Sequence, residues 1–207
     1  MKDLSSDRVE LANPVPMIPP AVCAVTGVCG DEIVKDDLIV LWTFVVSAEP
    51  PQVGISIPEI LQKTGEPFHT YEFLKKHGEF TLNILDSSYI NQFDIVDMSS
   101  SQKTDKFALS GLTKCPSKTI KAPGIAEAAI ILECWVSAIC SVPVNRAIII
   151  GEVLRTTIQQ GVVDGNGRLI PKSREFIGML TGCGEFWTFG KKVGHIGQTK
   201  GRDDIRY

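Results

Sequence analysis

Apolar residues along the chain fall into short runs with a two-residue period, broken by Gly, Pro and polar clusters. That rhythm predicts strands. Residues 21–28 are apolar with Val and Thr. Residues 38–48 (LIVLWTFVVSA) carry the β-branched and aromatic residues of a buried strand, and Glu49-Pro50-Pro51 stops it. Residues 52–57 alternate again, as do residues 79–84 (EFTLNI). Residues 130–142 read as a long strand, with Leu132, Cys134, Val136, Ala138 and Cys140 on one face and Glu133, Trp135, Ser137 and Ile139 on the other. Residues 146–158 form a second long strand and residues 186–189 a last short one. Asp164-Gly165-Asn166-Gly167 is a turn signal.

Helical signals are short. In residues 70–76 (TYEFLKK) Thr70 suits the N-cap, Glu72 the first turn, and Lys75 and Lys76 the last. Residues 88–98 and 104–109 read as helix or turn, and residues 58–66 as a loop or helical insertion. Residues 1–20 hold four prolines without periodicity and read as an extended arm. The chain divides into an N-terminal arm (1–20), one domain (21–194) and a polar C-terminal tail (195–207). Six or so strands with short helices predict a mainly β fold, a barrel with helical decorations.

Composition narrows the class. With 43% apolar and 22% charged residues, most of the chain has enough apolar surface to fold. A net charge of -3 argues against a nucleic-acid partner. No uncharged apolar run reaches the roughly 18 residues of a spanning helix, and the N-terminus lacks the apolar stretch of a secretory signal. The expectation is a cytoplasmic protein with no membrane partner. The cysteines (Cys23, Cys29, Cys115, Cys134, Cys140, Cys183) contain no Cys-x-x-Cys pair, and His69, His77 and His195 are not at metal-finger spacing from them. They read as structural, with no metal site. His77 reads as solvated at a helix end. Dinucleotide, phosphate-loop and nucleophile-elbow motifs are absent. Without a nucleophile or acid–base pair to anchor catalysis, an enzyme of this sequence would rely on a cofactor.

Seven segments then stand in a meaningful order: Leu41-Trp42-Thr43 running to Ser47-Ala48-Glu49-Pro50-Pro51; His69-Thr70-Tyr71 leading to Gly78-Glu79-Phe80-Thr81-Leu82-Asn83; Asp105-Lys106-Phe107 with Gly111-Leu112-Thr113; residues 122–127 (APGIAE); Leu132-Glu133-Cys134; Ile150-Gly151-Glu152-Val153; and residues 164–169. Together they resemble the flavin reductase-like family, which includes flavoredoxin. The resemblance covers residues 14–194.

It implies a six-stranded FMN-binding split β-barrel, a homodimer, and electron transfer between NAD(P)H, FMN and an acceptor. It also implies flavin contacts along Ile39, Val40, Leu41 and Trp42, and at Ser47 and Ala48. Trp42 itself suits the core better than the ring. The helix start offers an anion site with Thr70, as cap or phosphate ligand, and His69 beside it. Lys106 is the remaining cation for phosphate, with Ser100 ahead of it in Ser-x-x-x-x-Asp-Lys-Phe. Trp187 either covers a ligand or caps the barrel. The chain departs from the family pattern at Asp36 and Ile39, where an Asn and a Thr are usual, and at Phe68, where an Arg is usual. Backbone groups of residues 39–42 remain available to a ring, while Ile39 and Phe68 together imply weaker FMN or a rearranged phosphate site. Three functions stay open: an NAD(P)H-dependent FMN reductase, a non-enzymatic FMN electron carrier for a redox protein partner, and a member with lost or altered flavin binding that binds another ligand or acts as an interaction module.

Overall fold

Branched and aromatic residues set the strands, and Gly, Pro and Asn set the turns between them. The computed structural model describes residues 8–10, 23–28, 36–100, 104–180, 183–196 and 198–201. In chain order the elements are β1 (Arg8–Glu10), β2 (Cys23–Val28), β3 (Asp37–Ser47), β4 (Gln52–Ile57), α1 (His69–His77), β5 (Glu79–Ile84), α2 (Ile90–Met98), α3 (Lys106–Ser110), β6 (Lys114–Cys115), β7 (Gly124–Ile125), β8 (Ile130–Val142), β9 (Arg146–Gln159), β10 (Ile177–Leu180) and β11 (Glu185–Thr188).

Six strands close on themselves. They run β9, β4, β3, β2, β5, β8, each antiparallel to the next, and β8 pairs back onto β9. The predicted six-stranded barrel is therefore present, and closure leaves few free edges. The N-terminal arm contributes β1, which lies on β9 with Arg8 opposite Gln159; residues 11–20 fall outside the described residues. Among the described residues no helix is long and apolar enough to cross a membrane.

The two-residue period sorts side chains between two cores. Leu41, Val53, Ile55, Phe80, Leu82, Leu132 and Ile149 fill the barrel, joined by Phe73 and Leu74 of α1. Leu38, Ile131 and Ile177 instead pack with Phe93, Val96 and Phe107 of α2 and α3. Close packing explains Gly151, where an added Cβ would lie 2.5 Å from the Phe80 ring.

One expectation needs correction, and two segments gain detail the pattern did not supply. Both faces of β5 are buried, its polar residues Glu79, Thr81 and Asn83 included. Glu79 accepts from Lys121 N and Ala122 N at 2.7 and 2.9 Å, Thr81 donates to Pro123 O at 2.7 Å, and Asn83 accepts from Ile125 N at 2.8 Å. These side chains pin the stretch around residues 121–125 over the strand. In β8 the simple alternation fails, because the register shifts at Glu133/Cys134 and again between Val136 and Ala138. Glu133 is buried, while Cys140 is exposed. Of the two readings of residues 58–66, loop and helical insertion, the loop stands: Leu61 N donates to Glu66 O at 2.7 Å and Ile60 bridges to Pro67.

Candidate functional site

The barrel opens where β3 loses a neighbour. β3 pairs with β2 from Asp37 to Trp42, but with β4 only from Trp42 to Ser47. One edge of Leu38–Leu41 thus has no ladder partner among the described residues. Leu38 O uses that edge to accept from Lys106 Nζ at 2.7 Å. By the period of the strand, Val40 N–H and C=O turn to the same edge. A cavity of about 500 Å³ lies along it.

Ile39, Val40, Leu41 and Trp42 form one wall of this cavity. His69, the first residue of α1, and Phe68 before it form another. The end of α2 and the residues after it bring Asp97, Met98, Ser99 and Ser100; α3 brings Lys106; β9 brings Arg146; the β10–β11 hairpin brings Met179 and Phe186. Ser56, Pro58 and Leu61 complete the lining.

Helix α1 begins two residues earlier than its cap pattern predicts. Its N-cap is Phe68, which supplies no side-chain acceptor. Thr70 is therefore not the cap. It is 1% exposed and donates from Oγ1 to Asp37 Oδ2 at 2.7 Å. Helix α3 is capped by Asp105, which accepts from Ala108 N at 3.2 Å.

Lys106 is not a surface lysine. It is 4% exposed, and its Nζ lies 3.8 Å from Asp37 Oδ1. Burial lowers its pKa, opposed by the nearby Asp37 and Asp97. The Asp97 carboxyl is pushed up by burial, with Lys106 opposing and Asp94 adding to the rise.

Seven of the ten residues singled out from the sequence meet in this cavity: Ile39, Val40, Leu41, Trp42, His69, Ser100 and Lys106. Ser47, Ala48 and Thr70 do not line it. Ser47 sits at the β3–β4 turn, where its Oγ accepts from Glu49 N at 3.2 Å. Trp42 is not a core residue: it is 40% exposed on the cavity wall. Trp187 is 58% exposed, donates to Glu185 Oε2 at 3.0 Å, and is not part of the lining. His77 is half-buried against Phe73 rather than solvated.

Arg146 was missed by sequence reasoning. Its guanidinium carbon lies 4.8 Å from the centroid of the Trp42 ring. The signal was weak: a cation opening a strand, on the same face as Ile148 and Ile150, with no motif around it. In the sheet, Trp42 is opposite Ser56 and Ser56 is opposite Ile148. A small side chain between Trp42 and β9 leaves room for the long arginine.

Among the described residues no group of three or more His, Cys, Asp or Glu could hold a metal ion. Cys134 is fully buried, and burial pushes its thiol far above the usual range. Such a thiol packs as an apolar group.

The comparisons agree with this architecture. The chain is 30% identical over 92 residues to an uncharacterized protein of Halalkalibacterium halodurans, a match covering 44% of this chain and 43% of that protein. The match thus spans less than half the length of that curated relative. An uncharacterized protein of Aquifex aeolicus is 28% identical over 164 residues, covering 77% of this chain and 82% of its own. Among solved structures, flavoredoxin from Methanosarcina acetivorans superimposes with a TM-score of 0.74 at 23% identity, over 93% of this chain and 98% of that one. At such identity the structural likeness establishes the split-barrel fold. The profile of the flavin reductase like domain matches residues 17–171, a span that holds the open edge of β3, the start of α1, Lys106 and Arg146, and on that match the chain belongs to the flavin reductase-like family.

Proposed function

We propose that the chain binds FMN in the cavity beside β3 and passes electrons between NAD(P)H, the flavin and an acceptor. The observation that carries this reading is the edge of Leu38–Leu41 that no described strand pairs, which faces a half-open, largely apolar space. A planar ring system with polar atoms on one rim suits such an edge, because buried backbone N–H and C=O groups need partners.

The residues present fit the group. Val40 offers a backbone donor and acceptor toward the cavity. Trp42, Met179 and Phe186 offer apolar surface. Arg146 and the uncapped start of α1 suit an anionic tail. FMN, when bound, supplies the hydride and electron chemistry. The chain's own part is to orient the ring against β3 and to exclude water with Phe68, Leu61 and the β10–β11 hairpin. No side-chain acid or base is needed, which accords with a site whose two buried ionic groups, Asp37 and Lys106, are engaged with each other and with Thr70 and Leu38.

In this reading the protein works as a homodimer in the cytoplasm. The exposed apolar run Phe44, Val45 and Val46 on β3 supports a face for a second copy.

The test is the visible spectrum of purified protein before and after loading with FMN and desalting, followed by NADH and NADPH oxidation with free FMN. Retained flavin bands with slow turnover would favour an electron carrier. Rapid oxidation dependent on added FMN would favour a reductase. No uptake and no turnover would refute the reading.

A further inference from the structure

The cavity lining carries three side chains able to bear positive charge: His69, Lys106 and Arg146. They are not equally available. Lys106 donates to Leu38 O at 2.7 Å and has the Asp37 carboxylate 3.8 Å away. Its charge is already answered within the fold. Arg146 is placed differently. Its guanidinium lies over Trp42, with 4.8 Å between its carbon and the ring centroid, and no carboxylate of the described residues pairs with it.

That mounting has a chemical consequence. A guanidinium attracted to an aromatic face by its charge does not spend its N–H donors on a hydrogen-bond acceptor there. It stays charged at any physiological pH and matches phosphate oxygens with two parallel N–H bonds. Trp42 stands in mid-strand, its backbone paired with both β2 and β4. Phe68, at the other side of the cavity, supplies no donor from its side chain.

We propose that Arg146 is the phosphate ligand of this site and makes the chain select a phosphorylated flavin over riboflavin. The proposal rests on the flavin reading above. It commits the anion to the flavin's own phosphate rather than to a phosphate of the nicotinamide dinucleotide.

The experiment is a pair of titrations, FMN and riboflavin, followed by quenching of flavin fluorescence, on the full-length wild-type protein, Arg146→Gln and Arg146→Lys. Wild type is expected to bind FMN more tightly than riboflavin. Arg146→Gln should weaken FMN by about 10- to 100-fold, the worth of a charge-assisted phosphate contact, and riboflavin by less than about twofold. Arg146→Lys keeps the charge without the fork and should retain part of the preference. Thermal melts of each variant separate lost binding from lost folding, and Arg146→Lys carries the test if the Gln variant unfolds. Equal weakening of both flavins would overturn the proposal and make Arg146 a support for Trp42. Unchanged flavin affinities with a raised KM for NADH or NADPH would also overturn it and assign the anion to the dinucleotide. A wild-type protein that binds neither flavin would refute the flavin reading itself, a result distinct from either.

Discussion

The Thr70 hydroxyl donates to Asp37 Oδ2 across 2.7 Å, joining the first turn of α1 to the first residue of β3. Lys106 of α3 completes the cluster from 3.8 Å away. Three elements that border the cavity are thus tied together beneath it. Thr70 fastens the wall from behind. Thr70→Val keeps the shape and removes the donor, leaving one carboxylate oxygen of a buried aspartate without its partner. The expected loss is about 1–3 kcal/mol, seen as a lower denaturant midpoint at constant slope. FMN affinity should stay within about twofold, whereas a phosphate ligand at this position would lose a charge-assisted bond of about 1.5–3 kcal/mol.

Glu133 accepts five hydrogen bonds, four from the loop at residues 118–119 and one from β9. It accepts from Arg155 Nη1 at 2.7 Å, from Lys118 N through both oxygens at 3.2 and 3.1 Å, and from Thr119 N and Oγ1 at 2.8 and 2.6 Å. Burial pushes its carboxyl up, but the bonds from Thr119, Arg155 and Lys118 outweigh that and hold it below the usual range. The folded protein therefore binds its proton less readily than the unfolded chain does. The stabilisation is full above the unfolded pKa, about 4.3, and is lost as pH falls through the folded value. Glu133→Gln removes the carboxylate charge to which Arg155 donates and should cost about 3–5 kcal/mol near neutrality. Its thermal midpoint should also fall less steeply than the wild type's between about pH 5 and about pH 3. Parallel melting curves for the two proteins across that range would contradict the role given to Glu133.

Most of the strand framework was legible in the sequence, because period-2 patterning and β-branched runs depend only on local order. The strands at residues 52–57, 79–84 and 130–142 stand where the pattern puts them. What was not legible depends on contacts distant in sequence. Nothing around Glu79 or Asn83 says that residues 121–125, some forty positions later, will cover them and turn a half-solvated strand into a buried one. Trp42 looked like core because its run is apolar, yet its position in the pleat sends it outward, against an arginine more than a hundred residues on. The cavity's β3 wall was accessible through the family resemblance. Arg146 was not, since its role comes from the register of three strands.

Gly27 marks the closest backbone approach in this covering layer. A Cβ there would lie 2.3 Å from Pro123 O and 2.4 Å from Thr81 Oγ1, the acceptor and donor of one buried hydrogen bond. The carbonyl belongs to the backbone and cannot swing aside. Gly27→Ala should therefore push the loop off β5 and cost about 1–3 kcal/mol, with faster amide exchange at Ala122 and Ile125 as the local readout.

The turn that launches Arg146 is strained in a way that can be relieved. Val144 and Asn145 both have positive φ, 71° and 62°. Asparagine tolerates that region; a β-branched valine does so at a cost of roughly 1–2 kcal/mol. Val144 is 92% exposed, so no packing explains its presence. Asn145 fastens the turn: its Oδ1 accepts from Glu59 N and Ile60 N at 3.1 and 2.7 Å, and its Nδ2 donates to Ile60 O at 2.8 Å. Those bonds hold the segment that brings Pro58 and Leu61 to the cavity. Two substitutions one residue apart should then behave in opposite ways. Val144→Asn relieves the strain and should raise the melting temperature by about 2–4 °C while leaving FMN affinity unchanged. Asn145→Ala releases the 58–61 segment and leaves its backbone groups unpaired, so it should weaken FMN by several-fold as well as lower stability by about 1–3 kcal/mol. An Asn145→Ala protein with full FMN affinity would mean that the 58–61 segment closes no part of the ligand site.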